Sequence, residues 1–244
     1  SESIELFAIH QLAIEGSSQQ LIALGADGEG MVLEVSAGGQ LTQTFDLGVN
    51  FKSALAEDGV VVTELEHGIV PGGGLVLYIG TERGMMTLES ATGRDDATPS
   101  WRFFFDPNPS DIPNKIDDLR TLNLGASGNP AEVQALKLDG PNAQNPTVLW
   151  IGTPSGLHRL DLQLNDMSFG GLLEHPGNDA DELAKSNNIH SVYPTGDEIL
   201  VGSSAGLWVL AGNYVDYYGV QSNSELPGEI ASIATIERDN ATYV

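Results

Sequence analysis

The sequence predicts an all-β chain: a β-propeller of four-stranded antiparallel blades, about four and a half of them present. Three observations carry this. One short pattern recurs four times: an apolar run, a glycine, a few turn residues, a second glycine and a further apolar residue. A second apolar pattern precedes each copy, and no long stretch has the 3.6-residue periodicity of an amphipathic helix. Four strands in a unit of about 42 residues is the signature of a propeller blade.

The repeated element reads Leu21-Ile22-Ala23-Leu24-Gly25 to Gly30-Met31, then Leu77-Tyr78-Ile79-Gly80 to Gly84-Met85. It returns as Leu149-Trp150-Ile151-Gly152 to Gly156-Leu157 and as Ile199-Leu200-Val201-Gly202 to Gly206-Leu207. Short β-rich runs around a glycine-bounded turn read as hairpins. The last residues, Ala241-Thr242-Tyr243-Val244, resemble the start of a fifth copy. Upstream of each copy, an apolar residue is followed three or four positions later by another. These pairs are Ile9 to Leu12, Phe51 to Leu55, Ile116 to Leu119, Ile189 to Val192 and Ile230 to Ile233. Their spacing implies a unit of about 41–42 residues with two insertions. Both insertions are expected between the first and second strands of a blade. Third strands follow as Leu157 to Leu160 and Leu207 to Leu210, and fourth strands as Trp101 to Phe105 and Tyr214 to Tyr218. The expected blades are residues 4–47, 48–110, 111–182 and 183–226, with a partial blade at 227–244. Residues 179–187 offer a short helical turn at most.

Composition excludes several functions. The 244 residues carry 34 Asp and Glu against 10 Lys and Arg, a formal net charge of −24, and no cysteine. Disulfides, thiolate metal sites and a cysteine nucleophile are impossible. Binding to a phosphate backbone needs clustered cations that this chain lacks, so nucleic acid is excluded as a partner. No run of 18 apolar residues is available to span a membrane, so no membrane insertion by this segment is expected. Such a surface suits cationic partners, Ca²⁺ or a high-salt setting.

From the third to the fifth unit the residues resemble a known family. Leu226-Pro227-Gly228-Glu229-Ile230-Ala231-Ser232-Ile233, Gly202-Ser203-Ser204-Ala205-Gly206-Leu207-Trp208 and Leu149-Trp150-Ile151-Gly152-Thr153-Pro154-Ser155-Gly156-Leu157 look like the two-component regulator propeller repeat. That pattern is close to Leu-Pro-x-Asn-x-Ile-x-x-Ile followed by Leu-Trp-Ile-Gly-Thr-x-x-Gly-Leu. The likeness covers most of the chain and is tight over 110–122, 148–162 and 183–244. It implies an extracellular or periplasmic, non-catalytic ligand-binding or sensing module, part of a larger protein, and it brings no catalytic residues. Closed propellers commonly have four to eight blades. The expectation is therefore a fragment, with remaining blades or another chain completing the ring.

The candidate chemistry is sparse. Gly202-Ser203-Ser204-Ala205-Gly206 matches the G-x-S-x-G elbow with Ser204 as nucleophile. The elbow needs a helix after the serine, and Leu207 to Leu210 read as a strand, so the hairpin turn is the expected reading. The innermost strand of a blade lines the channel, and His10 and His190 occupy matching places in Ile9-His10-Gln11-Leu12 and Ile189-His190-Ser191-Val192. With Lys52 and Asp117 they form an expected polar ring for a glycan or other small-molecule ligand. Asp179, Asp181 and Glu182, beside Asn178, are the weak candidates for a metal, Ca²⁺ being the one such a loop would take. They lack the glycine of a Ca²⁺ loop, and a solvated acidic loop is the expected reading. Otherwise no cofactor is expected. Glu64, Glu66 and His67 lie in a β-like run. The aromatics Trp101, Phe103, Phe105, Tyr214, Tyr217 and Tyr218 are expected to pack blade on blade. Two alternative roles remain open: a structural or adhesive surface propeller, and a metal-dependent propeller hydrolase using a His/Asp/Glu site.

Overall fold

The second strand of each repeat is apolar on both faces, and burial explains why. In β6 (Gly74–Thr81) Val76, Leu77, Tyr78 and Ile79 are all buried, and in β11 (Val148–Thr153) so are Val148, Leu149 and Ile151. A strand with one wet face would alternate apolar and polar residues. The computed structural model describes residues 6–12, 19–25, 30–35, 40–46, 62–70, 74–90, 100–103, 115–117, 131–140, 147–163, 166–169, 184–212, 214–219, 229–233, 236–238 and 241–243.

The chain divides into two units, Ser1–Thr121 and Leu122–Val244. In the first, β1 (Leu6–Leu12), β2 (Gln19–Gly25), β3 (Gly30–Val35) and β4 (Leu41–Asp46) form an antiparallel sheet in sequence order. Next come β5 (Val62–Val70), β6, β7 (Gly84–Ser90) and β8 (Ser100–Phe103), joined by β9 (Lys115–Asp117), which runs parallel to β8 at the outer edge. The second unit holds β10 (Ala135–Asp139), β11, β12 (Gly156–Asp161) and β13 (Asp166–Phe169), then β14 (Ile189–Pro194), β15 (Ile199–Ser203), β16 (Gly206–Ala211) and β17 (Tyr214–Gly219). A short hairpin, β18 (Ile236–Arg238) with β19 (Ala241–Tyr243), follows. The fold is all-β and β-propeller-like: successive meander sheets, each beginning at an innermost strand.

Three of the hairpins share one turn chemistry. The hydroxyls of Thr81, Thr153 and Ser203 donate to the carbonyls of Gly84, Gly156 and Gly206 at 2.8, 3.0 and 3.1 Å. Each also accepts the N–H two residues on, from Arg83, Ser155 and Ala205. One buried side chain thus satisfies the polar groups of a two-residue tip. Pro154, at the first tip position of its hairpin, has φ fixed near about −65°. That excludes the type I′ turn, and the positive φ falls instead on the glycine after the tip, at 119° in Gly84 and 137° in Gly156.

The second-strand glycine has a different task. A Cβ on Gly202 would meet Ile230 Cγ2 and the Ile230 carbonyl oxygen, both at 2.7 Å, and a Cβ on Gly152 would meet Ile189 Cγ2 at 2.7 Å. The glycine is where the start of the next unit crosses its predecessor. Ile230 N–H donates to the Ser203 carbonyl at 3.0 Å across that crossing. Gly202→Ala is expected to cost about 1–3 kcal/mol, the range for overpacking, because backbone rather than a flexible tip must yield. Thermal melting of the variant checks this, and an unchanged melting temperature refutes the close-approach account.

The innermost strands of the second and third sheets differ from the expected ones. They are β5 and β10, not segments starting at Phe51 and Ile116. Opposite Gly80, Gly152 and Gly202 stand Glu64, Ala135 and Ser191. The repeat is therefore Val62 to Leu65, Val133 to Leu136, Ile189 to Val192 and Ile230 to Ile233. The extra lengths join one sheet to the next rather than separating first and second strands: β5 reaches β6 through 71–73 alone. Ile116 and Asp117 close the second sheet, making it five-stranded, instead of opening the third.

Core packing is best defined between the sheets starting at β10 and β14. Ala135, Leu157, Ile189, Val192, Val201 and Trp208 form one buried cluster, with Trp150, Ile199, Leu210 and Tyr217 against it. Tyr217 packs on Trp208 of its own sheet, with ring centroids 4.5 Å apart. Tyr214 and Tyr218 are exposed, so the aromatics of β17 do not all pack between blades as the sequence suggested. Trp101 and Phe103 lie in β8, and Phe105 lies outside the described residues.

Candidate functional site

The expected polar ring is described only in part. Lys52 lies outside the described residues, as do Asp179, Asp181 and Glu182. Asp117 lies in β9, the outermost strand of its sheet, paired with Phe103, and so does not line an innermost strand. His10 pairs with Ile22, three residues before Gly25, whereas His190 sits in the register shift between Ile189 and Ser191, beside Gly202. The two histidines therefore do not occupy matching positions. A bulge displaces one and not the other. Among the described residues no group of three or more His, Asp and Glu could hold a metal. On β5 the Glu66 carboxylate, buried, accepts the His67 backbone N–H at 3.0 Å.

His190 instead belongs to a cluster that sequence reasoning missed. Asn188, just before β14, donates from Nδ2 to Ser204 Oγ at 2.8 Å, and its backbone carbonyl accepts the Ser204 N–H at 3.1 Å. His190 Nε2 lies 2.8 Å from the same Oγ and 3.3 Å from Asn188 Nδ2. Glu229, one residue before the Ile230 crossing, brings Oε1 to 4.0 Å from His190 Nε2. The His190 side chain is 22% exposed and that of Glu229 is 65% exposed. Strand entry, hairpin tip and the following segment thus converge at one end of the fourth sheet. The Ser191 hydroxyl oxygen, under Gly202, and the Asn188 Oδ1 are buried and have no hydrogen-bond partner among the described residues.

A histidine nitrogen against a serine hydroxyl invites comparison with a nucleophile and its base. The remaining geometry argues against that use. Ser204 and Ala205 form a hairpin tip followed by β16, not a helix, as the sequence predicts. The Ser204 N–H is bound to Asn188 and the Ala205 N–H to Ser203 Oγ, so neither is free to stabilise an oxyanion. The carboxylate faces the same imidazole nitrogen as the serine, whereas an orienting carboxylate engages the other one. The arrangement is a set of polar groups open to solvent at one side, suited to holding a ligand.

The sequence carried a partial signal. Matching tip positions hold Glu82, Pro154 and Ser204, and matching strand-entry positions hold Thr63, Gln134 and His190. Of these three copies, the one in the sheet starting at β14 places a hydroxyl at that tip position together with an imidazole at the entry.

No protein-family model and no curated protein sequence matches the chain. Among the described residues no helix is long and apolar enough to cross a membrane. Solved structures do match. The chain is similar to the extracellular domain of BT4673 from B. thetaiotaomicron, described as that of a one-component system, with 15% identity and a TM-score of 0.52 over 96% of this chain and 25% of that one. It is similar to BBS1N, solved in complex with ARL6DN, with 11% identity and a TM-score of 0.52 over 97% of this chain and 59% of that one. The chain thus spans less than two thirds of the length of either of those chains, and at these identities the likeness shows a shared fold.

Proposed function

We propose that this chain is a non-catalytic, extracellular or periplasmic ligand-binding or sensing module of a larger β-propeller protein of the two-component regulator type. Further blades, or another chain, would complete the ring. The observation that carries the reading is the convergence of Asn188, His190, Ser204 and Glu229 at one end of a rigid sheet, with hydrogen-bonding capacity left over. Binding sites favour loops held by such scaffolds. The fold likeness to the extracellular domain of a one-component system supports the setting, and the acidic surface supports a role away from nucleic acid and anionic membranes.

Thermal shift against a panel of glycans, small polar molecules and Ca²⁺ tests this. A ligand at 100 times its dissociation constant stabilises the folded state by about 2.7 kcal/mol. The expected result is a shift with at least one class that Ser204→Ala or His190→Ala removes, while both variants melt normally when unliganded. No shift with any ligand, combined with strong self-association, would overturn the reading in favour of a structural role. The exposed Tyr214, Val215 and Tyr218 on the outer strand give that second role its own footing.

A further inference from the structure

We propose that the sheet face carrying Tyr214, Asp216 and Tyr218 docks an arginine-bearing segment of a partner protein, an interaction surface separate from the His190 cluster. Register defines the face. On β17 these three residues stand opposite Ala211, Val209 and Leu207 of β16. Val209 is in turn opposite Leu200, and Leu200 opposite Tyr193. Residues opposite one another share a face. The other side of the sheet packs Tyr217 on Trp208, whereas this side leaves Tyr214 62% and Tyr218 42% exposed. Each Asp216 oxygen accepts one bond, Oδ1 from the Tyr217 N–H and Oδ2 from the Tyr218 hydroxyl, both at 2.9 Å. Each keeps a lone pair for a guest. The bond and the charge of Asp216 raise the Tyr218 pKa from its ordinary value, with Tyr214 and Glu198 adding to the rise. Two aromatic rings and two carboxylates therefore lie close together on an open surface.

The repeat indicates what the guest supplies. On the matching face of the sheet starting at β10, Lys137 and Arg159 stand on either side of Trp150. There Arg159 Nη2 donates to Asp161 Oδ2 at 3.2 Å. The counterparts of Lys137 and Arg159 in the sheet starting at β14 are Tyr193 and Val209. Both cations are replaced, while Glu198 and Asp216 stand in the acidic stretch between Lys185 and Arg238, within which no Lys or Arg occurs. A guanidinium answers both features, because it stacks on a Tyr ring and forks onto a carboxylate. The surface is shallow, so a small molecule would leave much of its area wet, whereas a protein segment adds contact along the strand. Arginines two apart in an extended segment recur at about 7 Å, the step from Tyr214 to Asp216 and from Asp216 to Tyr218. A second copy of this chain is a poor source, with 10 Lys and Arg against 34 Asp and Glu.

The full chain is titrated with the peptide acetyl-Gly-Arg-Gly-Arg-Gly-amide, with its lysine counterpart and with cellohexaose, following NMR shifts of the β17 amides. The expected result is binding of the arginine peptide, several-fold tighter than the lysine one, with shifts centred on Tyr214 to Tyr218. Tyr214→Ala combined with Tyr218→Ala keeps the net charge and should weaken that binding about fivefold or more. Glu198→Gln, at an exposed position, should weaken it as well without lowering the melting temperature. Equal affinity for the two peptides that survives loss of both tyrosines would overturn the proposal, since the field of an acidic protein attracts any cation. Tyrosine-dependent binding of cellohexaose would overturn it in favour of a sugar platform. Self-association of the free chain that the double variant abolishes would overturn it in favour of a second copy, and no shift with any probe would overturn it outright. All of these are read at the tyrosines, so their failure leaves ligand binding that depends on Ser204 and His190 standing.

Discussion

Trp208→Ala is expected to lose about 3–5 kcal/mol of folding stability, the range for truncating a large buried aromatic. Trp208 is 2% exposed and sits at the centre of the cluster formed by Ala135, Leu157, Ile189, Val192 and Val201. Its truncation removes apolar contact on both sides, from its own sheet and from the sheet before it. It also removes the ring contact with Tyr217, worth about 0.5–1.5 kcal/mol beyond burial, and the indole N–H bond to Ser203 Oγ at 3.3 Å. Trp208→Phe keeps most of the volume and should cost much less. Urea denaturation of both variants checks the order. A loss below about 1 kcal/mol for the alanine variant would show that the packing between these two sheets contributes little to stability.

The second large effect is a dependence on pH. His158 lies on β12 and is 3% exposed, and burial lowers its pKa from 6.5 to about 4. In the unfolded chain it titrates near the ordinary value. Between those two values the unfolded state holds a proton that the folded state does not, so stability falls as pH drops through that window. The contribution is fully present above pH 6.5 and lost by about pH 4. The shift corresponds to about 3 kcal/mol. The repeat supplies the control. His158 pairs with Ile151 as Met86 pairs with Ile79 and Trp208 with Val201. The matching places are thus filled by large side chains, and all three are buried. His158→Met should keep the fold and flatten the dependence. Carboxylates titrate in both proteins, so the readout is the difference between them: the wild type should lose about 2–3 kcal/mol more than the variant between pH 7.5 and 4.5. Equal losses would sink the assignment.

The hairpins were legible in the sequence because their demands are local. A two-residue tip, a hydroxyl that binds across it and a glycine with positive φ all fall within five residues. The innermost strands were harder. Their signal is two apolar residues three or four apart, and beside the glycine a bulge breaks the strict alternation in β1, β5 and β14. Phe51 to Leu55 and Ile116 to Leu119 imitate that spacing. Val62 to Leu65 and Val133 to Leu136 fit equally well, and only pairing with Gly80 and Gly152 decides between them. The cluster around His190 was half legible. His190 stands out in the sequence as the counterpart of His10, a match that the strand registers do not support. Ser204 was noticed for a chemistry it does not support. Glu229 arrives through a crossing between distant stretches of chain, which no local pattern announces.

That crossing also bears on how the chain unfolds. Ile189 lies over Gly152, and Ile230 over Gly202, so the sheets starting at β10 and β14 are each held down by the opening residues of the segment that follows. Free energy in such an array is a sum of unit terms and seam terms between adjacent units. A defect at one seam loosens the sheet before it as well as the segment that carries the defect. Disturbing Ile230 would therefore register first as faster amide exchange in β15, upstream in sequence, before any change in the more distant sheets.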